Sequence, residues 1–472
     1  MAGLLGDLVN ASRALAAHQT GVQVAGRNIA NVNTPGFSRQ RVILGERVIP
    51  TDALGATGSG VEALGVKQIR DALLDLQVVR ESSQSEFLSA QQNAFAKAES
   101  ALGEQIDRSS DSAFIGDVSG SKNGLASAMN DFFNAFDNLA SNPTDAGAKQ
   151  VLLQKADALV SRFNTVDQRL AGVQSDLTSQ IDTDVTTVNS LLGQIAELNK
   201  QIAATEVSAP GSALALRDQR QSRLEELGKY INFTATTPPG ASGQVQISVK
   251  DAGGSDVMLV DKASVFGAFA FNGTAFTGGG AGATLALTGG SLQGNFSARD
   301  GVIQQLRDDV KTTAEQFASA VNAAYNPTSA TGDFFAVPPG SGIIQLAPSL
   351  DYTTLKSTDT GNAGANELAL AVAEVAQRRF STGGGDMIDG TIGEFYTRTV
   401  AGFGQTIAAG DSKLADQKIV QGMITQQRDS VSGVSMDEEV ADLMKFQRAF
   451  QASSRVIGVI DSMLESLISS VG

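Results

Sequence analysis

The sequence predicts a mainly α protein with an inserted β-rich domain. The expected chain is elongated, multidomain and discontinuous, with terminal helices pairing as a coiled coil and a long helical rod domain between them. Three observations predict it. Apolar residues near the N-terminus keep heptad spacing up to an abrupt break, and a second heptad stripe runs to the last residues. Between positions 230 and 298, glycine and β-branched residues replace the helical period.

The N-terminal stripe comprises Leu4, Leu8, Ala11, Leu15, His18, Val22, Ala25 and Ile29. Alternating steps of four and three lay one apolar seam along a helix of roughly 40 Å. The stretch "NIANVNTPGFSRQRV", Asn28 to Val42, ends that helix. Thr34 is pushed out of helical geometry by the proline that follows it. Pro35 and Gly36 suit the centre of a type II turn, with Gly36 supplying a positive φ. Asn31 and Asn33 favour turns through side-chain to backbone bonds. Beyond Phe37 an extended stretch is expected from Arg41 to Leu44.

At the other end, Ser435 with Glu438 three residues later reads as a capping box, and Asp437 to Glu439 place negative charge on a helix start. Leu443, Phe446, Phe450, Ser453, Ile457, Ile460, Leu464, Leu467 and Val471 then form a seam of roughly 50 Å. Both seams are narrow and neither adjoins a globular pattern. They define a terminal coiled-coil assembly region, residues 1–34 and 434–472.

The interior is mostly helical. Helical spacing recurs near 71–105 and 122–140, then over the long run from Gln150 to Thr205, which reads as a rod. A further helix from Ala213 to Leu227 stops at Gly228, a fitting C′ residue. The insert occupies 230–298. Val245, Ile247 and Val249 alternate there, and Asn272-Gly273 between apolar residues is a hairpin signal. Helix returns at Val302 to Ala324, a loop follows at 326–361, and helical pattern resumes at 364–378 and 389–431. The rod domain is thus 35–229 and 299–433.

Composition narrows the chemistry. The 472 residues carry 35 basic and 50 acidic side chains, a net charge of −15, which disfavours nucleic acid and anionic membranes. With no cysteine, neither disulfides nor thiolate chemistry are available. No apolar run is long enough to cross a membrane. The first 20 residues lack a basic n-region, so no cleavable secretory signal is expected. The single histidine, His18, lies on the seam and reads as a packed residue, which leaves no histidine for a catalytic triad or metal set. No phosphate-binding glycine loop or calcium loop occurs. Catalytic, cofactor and metal sites are therefore expected to be absent, and a long scaffold with apolar helical ends describes a polymer subunit.

Two stretches carry a family resemblance. "NIANVNTPGFSRQRV" resembles the N-terminal signature of the bacterial flagellar rod, hook and hook-associated proteins, and "SGVSMDEEVADLMKFQRAFQASSRVIGVIDSMLESLI" resembles their C-terminal signature. "LRDQRQSRLEEL" and "GGSLQGNFSARD" in a helical middle fit the hook–filament junction members better than a β-dominated hook protein. The resemblance implies a non-enzymatic structural subunit of the flagellum at that junction. It implies export outside the cell by the flagellar type III apparatus. Its implied partners are copies of itself in a tubular array, the hook protein, the second junction protein and a cytosolic export chaperone. The expected assembly interface is Leu4, Leu8, Leu15, Val22 and Ile29 with Leu443, Phe446, Phe450, Ile457, Ile460, Leu464 and Leu467. The expected turn signature is Asn31, Asn33, Thr34, Pro35, Gly36 and Phe37. The alternatives are a cytosolic coiled-coil adaptor or binding protein, another flagellar axial protein of the hook type, and, more distantly, a secreted glycan hydrolase with helical ends.

Overall fold

A computed structural model describes residues 2–34, 36–49, 57–104, 124–329, 332–337, 342–360, 362 and 364–471. In chain order the elements begin with α1 (Ala2–Ala30), β1 (Gln40–Ile49), β2 (Thr57–Gln68), α2 (Ala72–Leu102), α3 (Leu125–Ser141), α4 (Ala146–Thr205) and α5 (Leu214–Tyr230). The short strands β3 (Thr234–Thr236), β4 (Gln246–Lys250), β5 (Asp256–Asp261), β6 (Ser264–Val265), β7 (Ala270–Phe271), β8 (Phe276–Gly278) and β9 (Ala283–Leu285) follow. Then come α6 (Gly290–Ser297), a π-helical stretch (Ala298–Ile303), α7 (Gln304–Tyr325), β10 (Phe335–Ala336), β11 (Gln345–Leu346), α8 (Glu367–Glu374), α9 (Ile392–Ser432) and α10 (Met436–Val471). Helix makes up 65% of the described residues, which establishes the mainly α class.

The chain divides into two compact units. The first comprises Met1–Ser85, Val185–Gly290 and Gln417–Gly472. It holds both terminal helices, the antiparallel β1–β2 hairpin, α5 and the strands of the insert, arranged as β3-β4-β5-β6 and β7-β8-β9 sheets. As the alternation predicts, Val245, Ile247 and Val249 point into the interior. Asn272-Gly273 lies in a four-residue loop closed by Asn272 Oδ1, which accepts the Thr274 and Ala275 amides at 3.0 and 2.8 Å.

The second unit is Glu86–Asp184 with Ser291–Asp416. Its core is a single cluster fed by α2, α3, α4, α7, α8 and α9. Phe132 is its hub, with ring centroids 5.0 Å from Phe136, 5.1 Å from Phe317 and 5.7 Å from Phe334. The amphipathic spacing of Leu125, Met129, Phe132, Phe136 and Leu139 puts all five on the buried face of α3.

Four local readings change. The extended stretch at 41–44 is one strand of a hairpin, and the second strand was not read because Thr57–Gln68 is too rich in glycine to alternate. The segment 35–229 is therefore not wholly helical. Helix resumes at Gly290, twelve residues before Val302, because the glycines and polar residues of α6 hide its period. Gly290 itself has φ +84° and leaves no room for a side chain, since a Cβ would lie 2.2 Å from the Tyr230 carbonyl oxygen. Gly228 does not cap α5, which continues to Tyr230. A Cβ at Gly228 would sit 2.8 Å from Val79 Cγ1, so the glycine serves close helix packing.

Candidate functional site

α1 and α10 pack antiparallel: Asn28 meets Glu439, and Gly21 meets Phe446. A Cβ on Gly21 would lie 2.5 Å from the Phe446 ring, so the absent side chain is what admits the phenylalanine. His18 lies beside the same ring, with centroids 6.5 Å apart, and burial lowers its pKa. The buried residues of α1 are Ala17, Gly21, Val24, Ala25 and Asn28; Ala25 belongs to the sequence-derived seam and the other four run one residue ahead of it. Leu4, Leu8, Leu15, Val22 and Ile29 flank them, half-buried. On α10, Leu443, Phe446, Phe450, Ile457 and Leu464 are half-buried and Ile460 is buried, while Leu467 is exposed.

Hydrogen bonds close the turn after α1. Asn31 Nδ2 donates to the Arg27 carbonyl at 2.9 Å, Thr34 Oγ1 donates to Asn31 Oδ1 at 3.2 Å, and the Thr34 amide donates to the Asn31 carbonyl at 2.9 Å. The Phe37 amide closes on the Thr34 carbonyl at 3.2 Å, with Gly36 at φ +77°. Asn33 is part of the same turn, and Pro35 lies outside the described residues.

Beyond the turn, three consecutive residues fasten the chain. Gln40 exchanges two hydrogen bonds with Asn28, its amide donating to Oδ1 at 3.0 Å and its carbonyl accepting Nδ2 at 2.8 Å. Asn28 Nδ2 also donates to Glu439 Oε2 at 2.9 Å. Arg39 Nε stands 2.6 Å from Glu439 Oε1, whose side chain is only 3% exposed, and Arg39 also pairs with Glu438 and Asp442. Glu438 is thus drawn to Arg39 and away from the capping box read from sequence. Ser38 Oγ donates to Asp218 Oδ1 of α5 at 3.0 Å. Arg70 donates to Ser38 Oγ and to Asp218 Oδ1, at 2.7 and 3.1 Å from Nη2. Asn28, Ser38, Arg39, Gln40, Asp218 and Glu439 form one clasp holding α1, β1, α5 and α10.

Sequence reasoning passed over this clasp. The available signal was a polar residue on an otherwise apolar helix face, Asn28 next to Ile29 and Glu439 four residues before Leu443. "LRDQRQSRLEEL" is accounted for as well. Besides Asp218, Arg217 pairs with Glu206 at 2.7 Å, and buried Arg220 donates to Asn199 Oδ1 at 2.9 Å and to the Gly243 carbonyl at 2.6 Å.

Burial pushes Asp75, 3.4 Å from Arg70, up from 3.8 to about 6 against the pull of that arginine, and burial raises Asp218 too. A carboxyl whose folded value is raised contributes stability fully below its unfolded pKa, and loses it as pH rises through the folded one. Denaturant resistance should therefore increase from pH 7 to pH 5, with an Asp75 share on the order of 1 kcal/mol. Asp75→Asn should remove that share, and an unaltered pH slope in urea titrations would contradict the assignment.

Among the described residues, no group of three or more His, Cys, Asp or Glu could hold a metal ion, and no helix is long and apolar enough to cross a membrane.

Parts of the sequence match known protein families. Residues 8–37 match the flagella basal body rod protein family, and 425–470 match the flagellar basal body rod FlgEFG protein C-terminal family. Residues 117–331 match the flagellar hook-associated protein FlgK helical domain. The chain is 26% identical to flagellar hook-associated protein 1 of Bacillus subtilis (strain 168), over 98% of both chains. It is 25% identical to flagellar hook-associated protein 1 of Escherichia coli (strain K12), over 97% of this chain and 98% of the relative. The solved flagellar hook junction protein FlgK from Burkholderia pseudomallei, at 24% identity, overlaps 56% of this chain and 47% of its own with a TM-score of 0.45.

Paired terminal helices bearing rod-family signatures at both ends define a structural protein of the bacterial flagellum, in the rod, hook and hook-associated group. Within that group the chain is of the junction type, similar from end to end to flagellar hook-associated protein 1.

Proposed function

We propose that the chain forms the junction between hook and filament by axial self-assembly through its N- and C-terminal helices. The observation that carries this reading is apolar surface left over after α1 and α10 have packed on each other. Val456, Val459, Met463 and Ile468 of α10 remain outside the pair, Val459 52% and Ile468 73% exposed, as do Leu5 and Val9 of α1. Side chains of this size are costly to leave in water, at about 25 cal/mol per Å². Copies of the same chain stacking along a tube would bury them, and assembly would stabilise the ends by mass action.

In this reading residues 1–34 and 434–472 form the inner assembly region. The helical segments of 35–229 and 299–433 form the helical rod domain, and 230–298 is its β-rich insert. The hook protein lies on one side and the second junction protein on the other. A cytosolic chaperone holds the chain before flagellar export delivers it outside the cell. The proposed interface includes Leu4, Leu8, Leu15, Val22 and Ile29 with the α10 seam; most of these are half-buried within one copy, which makes them poor first targets for substitution.

The cleaner test is Val459→Asp with Ile468→Asp. Both positions are exposed, so the monomer should melt within about 0.5 kcal/mol of the parent. Incorporation into flagella isolated from cells carrying only this variant should fall below detection, with loss of motility. Normal incorporation would refute the terminal-helix mechanism.

A further inference from the structure

The β1–β2 hairpin carries a surface that the helix pair does not use. Alternation along β1 puts Arg41, Ile43 and Gly45 on one face, and the register places Lys67 opposite Arg41 and Gly65 opposite Ile43. A register shift frees Leu64 as a bulged residue, and its side chain lies over Gly45, where a Cβ would come within 2.4 Å of Leu64 Cδ1. Leu64 is 68% exposed and Ile43 is exposed beside it, while nothing lies within 4 Å of the Cβ position on Gly65. The result is an apolar shelf floored by two glycines, with the two cations at one end and Glu62, opposite Gly45, at the other. Two like charges directly opposite on a ribbon repel each other, and neither Arg41 nor Lys67 has an ion-pair partner among the described residues of this chain, whose net charge is −15.

A complementary surface exists on the same molecule. Met436, Val440 and Met444 are exposed at steps of four, a ridge along the first turns of α10, with exposed Asp437 beside it. Asp437 has no ion-pair partner among the described residues either. The ridge cannot reach its own hairpin: the side of α10 facing β1 in the same chain carries Glu439, Asp442 and Phe446, and the 3.6-residue period turns the ridge to the opposite flank.

We propose that the hairpin shelf of one copy receives the α10 ridge of the next, with Arg41 and Lys67 facing Asp437. Shelf and ridge are different surfaces, so the contact is head-to-tail and repeats from copy to copy, generating a ring or helical array. Charge complementarity fixes the register of the ridge, and the glycines admit close approach of the helix. The proposal rests on the self-assembly reading above but names a contact independent of the α1–α10 seams.

Two experiments decide it. The chain has no cysteine, so Leu64→Cys and Val440→Cys variants, mixed and oxidised at assembling concentration, should give a disulfide-linked dimer. Leu64→Cys mixed with Val459→Cys should give none. In cells, Arg41→Glu with Lys67→Glu should lower incorporation into flagella by about tenfold or more, and Asp437→Lys added to the same chain should restore it. Absence of the first cross-link, normal incorporation of the charge-reversed hairpin, or no rescue by Asp437→Lys would each overturn the proposal. If the hairpin variant assembles normally while Val459→Asp with Ile468→Asp does not, only this contact fails. If all assemble normally, the terminal-helix mechanism fails with it.

Discussion

Arg39→Ala is expected to destabilise the terminal helix pair by about 3–5 kcal/mol, the range for removing one partner of a buried ion pair. Glu439 is nearly sealed from water, and Arg39 is the cation that faces it. Without the guanidinium, Glu439 keeps only the Asn28 amide at 2.9 Å, too little for a buried charge. Glu438 and Asp442 would add repulsion at the same helix end, since Arg39 neutralises these two as well. Hydrogen exchange should report the loss as faster exchange in α1 and α10. The double variant Arg39→Met with Glu439→Leu should recover much of the stability, because it removes the stranded charge together with its partner. A change below about 1 kcal/mol in Arg39→Ala would show that solvent reaches Glu439 and that the clasp is not what holds the pair.

Phe132→Ala should cost a similar amount, about 3–5 kcal/mol, at a different place. The Phe132 ring is fully enclosed in the second unit and touches phenylalanines on α3, α7 and β10 and in the segment before β10. Truncation removes the ring's burial and leaves a cavity lined by rigid rings, which collapse poorly around it. The denaturation midpoint should fall while the clasp in the first unit keeps its exchange protection. Loss of that protection would mean that the two effects are not local.

Much of the architecture was legible without coordinates. The terminal helices, the long α4 and the alternating strands of the insert follow from spacing within short windows. A helix period or a turn dipeptide is a local property, set by which faces are apolar and which φ values a residue tolerates.

The misreadings have one origin. The innermost stripe of α1 runs through Gly21 because Phe446, 425 positions away, needs the room. Gly228 looked like a helix cap because glycine usually is one, and Val79 across the packing gave it another use. α6 lacks a local signal and forms because distant neighbours, such as Tyr230 beside Gly290, supply burial, while the glycines of β2 hide its alternation although its partner β1 is the preceding strand. Sequence alone determined the helical class, the flagellar signatures and the two apolar ends, since each is written in residues close together along the chain. Only the tertiary structure decided which of those residues face each other, which buried charge finds its cation and which apolar faces stay uncovered. Those outcomes depend on atoms brought together from distant positions, and no short window of sequence contains both partners.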